Sequence, residues 1–280
     1  MHTQTNRAAP TRATLLRGAL VAIFVLSVAA ALLVQQVFTG PARRGAEILS
    51  QVRRKTLADY WPAGGEVRWY IARASGGKPV AWRAGLRNSQ SQHFSGQSLQ
   101  GDLGTTIAWG RWQLRPDASA GTYRSLEEVG GVGTRDTRIV FHDGQITVIG
   151  SDGLVEISAT AAQPDNYIPE GMFSLVVSLV NKRRETARFK MIFDSVAIEH
   201  GKVMFVPITL TPQGHGQVRA DFSTVRKQAS WLYHLDESGQ IVRIDDPSGL
   251  SHLLADMEQV VRSFPKAGPL LSKIGQGLES

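Results

Sequence analysis

Residues 137–159 read TRIVFHDGQITVIGSDGLVEISA. Two Asp-Gly pairs, Asp143-Gly144 and Asp152-Gly153, separate three runs rich in β-branched residues. Asp-Gly readily supplies the positive φ angles of a tight hairpin turn, so the stretch predicts a three-stranded antiparallel meander over 138–159. The same grammar recurs along the chain. EVRWYIARA and VAWRAGLR flank SGGKP at 66–87. SVAIEHGKVMFVPITL turns at His200-Gly201, and ASWLYHLDESGQIVRI turns at Asp236–Gly239. Within 202–210, Val203, Phe205 and Pro207 alternate with Met204, Val206, Ile208 and Leu210, a pattern expected of a strand covered on both faces.

Two segments break this alternation with helical spacing. Pro169–Arg183 has proline and Glu170 at its first turn, Lys182 and Arg183 at its last, and a stripe of Met172, Leu175, Val176, Leu179 and Val180. Ser251–Ser263 places Leu253, Leu254, Met257, Val260 and Val261 at helical intervals, with Pro265 beyond. The expected class is α+β, mainly antiparallel β: a meander, curved sheet or half-barrel with one mid-chain and one C-terminal helix. No linker divides it; the Gly-rich stretch 128–134 joins two strands.

Ahead of this domain, Gly18–Gly40 carries no charge, and Gly18–Val34 is strongly apolar over 17 residues. About 20 helical residues cross a bilayer core, so 18–38 is read as an uncleaved transmembrane helix following a 17-residue tail. No A-x-A-like cleavage site follows the apolar run. Residues 39–62 form a juxtamembrane segment, helical over 42–60, with Ile48, Leu49 and Val52 as a stripe that fits either a lipid surface or a stalk; Trp61-Pro62 is its expected stop. Residues 63–264 form the globular domain, and 265–280 a loosely held tail.

Charge placement narrows the partners. The formal charge is +7, but eight of the 31 basic and only two of the 24 acidic residues lie in 1–60. The domain is therefore nearly neutral. That argues against the broad phosphate-binding face nucleic acid needs, and assigns the basicity to anionic lipid headgroups beside the anchor. Lys and Arg counts on the two sides of the helix favour a cytoplasmic domain. A short N-terminus followed by one early apolar segment favours export, and that reading is preferred: inner membrane, single-pass, with the large domain periplasmic.

Chemistry-bearing motifs are few. Cysteine is absent, which excludes disulfides and thiolate metal sites. Ser98 in FSGQSLQG is one residue away from a nucleophile elbow and lacks its strand–turn–helix setting, so a surface loop is expected. Gly130, Gly131 and Gly133 precede a strand, not the helix a dinucleotide loop needs. The seven histidines show no metal-ligand spacing, and no cofactor is expected. Five of the six tryptophans fall between Trp61 and Trp112. Trp109, Trp112, Trp231, Tyr233 and His234 are the candidate ligand or partner surface, with core packing as the alternative for the aromatics and a plain strand surface for His234.

The order strands, helix PEGMFSLVVSLV, then the hairpin WLYHLDESGQIVRI resembles periplasmic proteins built on the curved sheet of lipoprotein carriers, the LolA-like family, over about residues 165–245. The resemblance implies a sheet wrapped around helices whose concave side takes an apolar ligand. Three functions stay open: a membrane-anchored extracytoplasmic non-catalytic module binding a partner or apolar ligand, a scaffold subunit of an envelope complex, and a hydrolase-type enzyme whose site is assembled from distant residues.

Overall fold

The computed structural model describes residues 12–61, 66–74, 76–87, 92–101, 104–129, 134–151, 155–194, 197–223 and 228–265. The expected turn at Asp152-Gly153, the glycines of 130–133 and the tail beyond 265 lie outside these residues. The chain divides into two compact units after Pro41.

In the first unit the backbone of residues 12–41 is helical, part of α1 (Arg12–Arg53). Ile23, Phe24, Val25 and Leu26 are all exposed. Successive helical residues turn by about 100°, so these four point in every direction around the axis. Among the described residues, no helix is long and apolar enough to cross a membrane; side chains within the apolar run 18–38 fall partly outside that set.

The second unit is mostly antiparallel sheet. Its strands are β1 (Glu66–Arg73), β2 (Pro79–Arg87), β3 (Gln92–Gly101), β4 (Gly104–Leu114), β5 (Gly121–Val129), β6 (Thr134–His142), β7 (Gln145–Ser151), β8 (Glu156–Ala162), β9 (Ala187–Met191), a small hairpin β10 (Ile198–Glu199) and β11 (Lys202–Val203), then β12 (Val206–Gly214), β13 (Gln217–Ser223), β14 (Gln228–Leu235), β15 (Ile241–Asp245) and β16 (Ser251–Ala255). Fourteen of them form one sheet in the order β8-β7-β6-β5-β4-β3-β2-β1-β16-β15-β14-β13-β12-β9. The meander of β6, β7 and β8 occurs in the register set by the turn at Asp143-Gly144, with His142 opposite Gln145 and Ile139 opposite Val148. Asp143 and Gly144 have φ of 50° and 74°, as such a turn requires.

Laid flat, fourteen strands at ~4.8 Å spacing would span roughly 65 Å. Yet Tyr70 of β1, Trp112 of β4, Ile139 of β6, Ala159 of β8, Phe189 of β9 and Tyr233 of β14 belong to one continuous buried cluster. Side chains bridge that span only if the sheet curls, with this face inside. The concave face is covered by α2 (Phe173–Arg183), which buries Leu175, Val176, Val177 and Val180 and follows Met172 of the preceding 3-10 turn. The outer face of β1 and β2 has its own smaller cluster, Trp69, Ile71, Trp82 and Ala84, capped by Val260 of α3 (Met257–Ser263).

The structure departs from several expectations. Ile48, Leu49 and Val52 do not face lipid or form a stalk; they lie in the main core. The helix ends at Arg53, before Trp61-Pro62, because Thr56 starts a new 3-10 turn: its backbone N–H donates to Asp59 Oδ2 at 2.8 Å. Leu57 is drawn inward, with its N–H donating to Pro116 O. Ser251–Ala255 is not helical. It forms β16, whose backbone pairs with both β1 and β15, and this sheet pairing overrides the helical spacing. Asp256 then caps α3 by accepting from the Gln259 N–H at 2.7 Å. FSGQSLQG lies in β3, paired on both sides, not in a loop. The strand expected over 202–210 is interrupted at 204–205. Its continuation is covered on one face only, with Ile208 and Leu210 buried and Pro207 exposed.

A curled sheet still has two free edges, and exposed edges invite aggregation. The β9 edge is occupied by residues 166–168: Lys190 N donates to Asn166 O, Ile168 N to Lys190 O, and Asn166 Nδ2 to Arg188 O. Helix α1 crosses the same edge at Gly45, where a Cβ would sit 2.2 Å from Arg188 O. Replacing Gly45 by valine forces the helix off that edge. The expected loss is about 3 kcal/mol of domain stability, read as an earlier urea midpoint; an unchanged midpoint would show that α1 does not close the edge.

Candidate functional site

On the concave face, residues of β1 and its neighbours alternate inward. Arg68, Tyr70 and Ala72 of β1 sit opposite Gly85, Arg83 and Ala81 of β2. Tyr70 and Ala72 also sit opposite Leu254 and His252 of β16. Tyr70 belongs to the main core, so Arg83, Leu254 and His252 share its side. Leu254 is nonetheless 47 % exposed. Water therefore reaches Leu254 on the face that carries the main core. Phe173, Phe222, Trp231 and Phe193 are only partly buried against the core and pack on one another through centroid distances of 5.6–6.4 Å, an aromatic wall on this face.

Glu170 stands at the turn before α2. It is reachable by water, yet it acts electrostatically on Tyr123, Tyr167 and Tyr233, and Arg83 acts on it. These groups come from β5, the loop before α2, β14 and β2. Glu170 is exposed, and Asp194 and Arg83 act on it through their charges. Burial and the neighbouring Asp194 raise its pKa to about 7, against the opposing pull of Arg83. Water at the carboxylate tempers the burial effect; the upward direction stands on both causes. Asp194 accepts a hydrogen bond from Tyr123 Oη at 2.8 Å. Burial and the two acids push the Tyr123 and Tyr167 hydroxyls far up, so both stay neutral.

Arg83 lies 5.4 Å from the ring centre of Trp231, and His252 is 6.1 Å from the same ring on a plane tilted by 31°. His252 is 5 % exposed. Its pKa is lowered by burial and by Arg83, so the ring is neutral and Nε2–H donates to Asp246 Oδ2 at 3.2 Å. Nδ1 is then a bare acceptor; it is buried without a partner. Nearer the start of β1, a cleft of about 610 Å³ is lined by Tyr60, Trp61, Glu66, Arg68, Leu175, Ser238 and Ile241 among others. Glu66 accepts two hydrogen bonds from Arg68, at 2.8 and 2.9 Å. Its volume falls within the range of small-molecule pockets.

The five residues proposed from sequence do not form one surface. Trp112 is fully buried and stacks on Tyr123 at 4.4 Å. Tyr233 is buried in the concave core, and Trp231 packs against that core partly buried. Trp109 has the opposite parity from Trp112. His234 points to the outer face, 2.7 Å from Asp245 Oδ2 and 3.4 Å from Gln217 Nε2. Sequence reasoning missed Arg83, Glu170, Asp194 and His252. One signal was legible: Arg83 takes the inward parity of Ala81, a charge on an otherwise apolar face. Among the described residues, no cluster of three or more potential ligands could hold a metal ion.

No protein-family model matches the chain, and no curated protein does. Among solved structures, it is similar to a β-barrel-like protein of a domain of unknown function, DUF1849, from Brucella abortus. The identity is 10 %, the TM-score 0.49, and the match covers 68 % of this chain and 95 % of that one. A DUF1089 family protein from Pseudomonas aeruginosa matches with 15 % identity and a TM-score of 0.37, over 61 % of this chain and 90 % of that one. Likenesses at this level carry no functional argument.

The raised pKa of Glu170 has a defined consequence for stability. A carboxyl whose folded pKa exceeds its unfolded value favours folding fully below the unfolded value, near 4.5, and loses that contribution as pH rises through about 7. Between pH 5 and pH 8 the melting midpoint of Glu170→Gln is therefore expected to fall less than that of the wild type. Parallel curves would place Glu170 in bulk solvent.

Proposed function

We propose that the chain is a single-pass, membrane-anchored module whose 42–280 unit lies outside the cytoplasm and binds an amphipathic molecule on the concave face of its sheet. The observation that carries this is Leu254, which faces inward and is still reached by water; we take it to mark a hollow beside a wall of partly buried aromatic rings. Cores are normally packed to near-crystalline density, so space kept open beside aromatic and aliphatic groups is a feature of binding sites. The expected resemblance to lipoprotein carriers supports the same use of a concave sheet.

The anchor reading rests on the uncharged run Gly18–Gly40 and on Ile23–Leu26, exposed in every direction around the helix. A helix apolar all round belongs in a core or a bilayer. The basic residues Arg43, Arg44, Arg53, Arg54 and Lys55 then lie where headgroups attract them. A scaffold role draws support from Val155 and Ile157, both exposed at the start of the terminal strand β8, where a partner strand or apolar surface could add.

Calorimetric titration of the full chain in lipid nanodiscs with eight-carbon amphiphiles, corrected for empty nanodiscs, tests the binding function. Saturable one-to-one binding is expected, and Leu254→Trp, which fills the hollow, should weaken it at least tenfold while leaving the melting midpoint close to wild type. No saturable binding of any such amphiphile would favour the scaffold role.

A further inference from the structure

The concave face treats its two arginines differently. Arg68 is held in a two-pronged pair by Glu66. Arg83, on the adjacent strand β2 and half-buried, makes no hydrogen bond and no ion pair among the described residues; its close partner is the face of Trp231. A ring face attracts the cation but satisfies none of its five N–H donors. Half-buried guanidinium groups are ordinarily paired, because lost hydration must be replaced. A guanidinium lying against an indole, with no protein acceptor, keeps its donors available for a planar, two-oxygen anion.

A second polar group in the same corner is also without a partner. His252 Nδ1 is buried and accepts nothing, while its other nitrogen is engaged by Asp246. The His252 ring lies 6.1 Å from the Trp231 ring that Arg83 also approaches. A headgroup that offers oxygens to Arg83 and a hydroxyl or acid proton to Nδ1 would satisfy both. The aromatic wall and Leu254 adjoin this corner and suit an alkyl chain.

We propose that the Arg83–Trp231–His252 corner binds the anionic headgroup, carboxylate or phosphate, of an amphiphile whose alkyl chain lies in the hollow. This rests on the binding function proposed above and specifies its ligand. The two acids of the hollow do not reverse the preference. Asp194 stays anionic with Tyr123 Oη donating to it. Glu170, its pKa raised by burial and by Asp194, takes up a proton more readily than an ordinary carboxyl, and Arg83 keeps its donors unbonded among the described residues. A cationic amphiphile would instead meet the charge of Arg83, which has no hydrogen-bonded acceptor among the described residues.

The test compares octanoate, octyl phosphate, octanol, octylamine and inorganic phosphate on the full chain in nanodiscs. Octanoate or octyl phosphate is expected to bind at least tenfold tighter than octanol, and octylamine more weakly than either. Arg83→Gln should bring the anionic ligands to the level at which octanol binds the wild type; Arg83→Lys should recover only part of the difference. Octanol binding as tightly as octanoate would overturn the proposal and leave the wider binding function standing. Tighter binding of octylamine would overturn it as well, as would inorganic phosphate binding as tightly as octyl phosphate, which would mark a free-anion site. Failure of every ligand would remove the binding function itself. Should Arg83→Gln fail to fold, the wild-type ratio of octanoate to octanol decides alone.

Discussion

The structure depends on one requirement: the main apolar face of a fourteen-stranded sheet is too wide for any flat covering layer. Curling turns that face onto itself, so residues from β1, β6, β9 and β14 share one core. Everything else follows from how the curl is closed and filled. Antiparallel neighbours connected mostly by short turns build the sheet, and β16 returns to pair with β1, so the last strand locks the first. The terminal strands β8 and β9 are adjacent in sequence, separated by α2 and its approach. The segment linking the two edges is therefore the one that also supplies the filling helix.

Two helices do the filling. α2 and the last turns of α1 supply Val176, Val177, Val180, Ile48, Leu49 and Val52 to the core. Leu254 is exposed and Trp231 and Arg83 are half-buried on the same face. The same geometry explains the electrostatics. Glu170 sits where chain from several sides surrounds it, so desolvation and Asp194 raise its pKa, whereas carboxylates on the outer face such as Asp136 and Asp245 are held down by hydrogen bonds from Arg124 and Arg138, and from Arg243 and Ser251, that outweigh their partial burial.

Local signals in the sequence marked the elements that depend on local chemistry. Asp143-Gly144 set the β6–β7 turn, Asp236–Gly239 the β14–β15 turn, and Pro169–Arg183 the mid-chain helix, because turn dihedrals and helical periodicity are local properties. What escaped depends on distant partners. Ser251–Ala255 carries helical spacing but is claimed by backbone donors and acceptors of β1 and β15. The stripe Ile48–Val52 was legible as a stripe, yet nothing local says which surface receives it. Gly45 gives no sign that Arg188 O will pass beside it. The site was least legible of all: Arg83 and Leu254 meet through β1, from strands about 170 residues apart in sequence.

The absence of cysteine permits a direct test of the central claim, that the concave face encloses a water-filled hollow. Single-cysteine variants Leu254→Cys, Leu253→Cys and Ile244→Cys would be reacted with a small water-soluble thiol reagent. Leu253 lies on the outer face and is 39 % exposed, and Ile244 is 7 % exposed in the core. The account predicts that Leu254→Cys reacts at a rate close to that of Leu253→Cys and far above Ile244→Cys, and that octanoate protects it while leaving Leu253→Cys unaffected. A Leu254→Cys variant as unreactive as Ile244→Cys, or one that octanoate does not protect, would contradict the account.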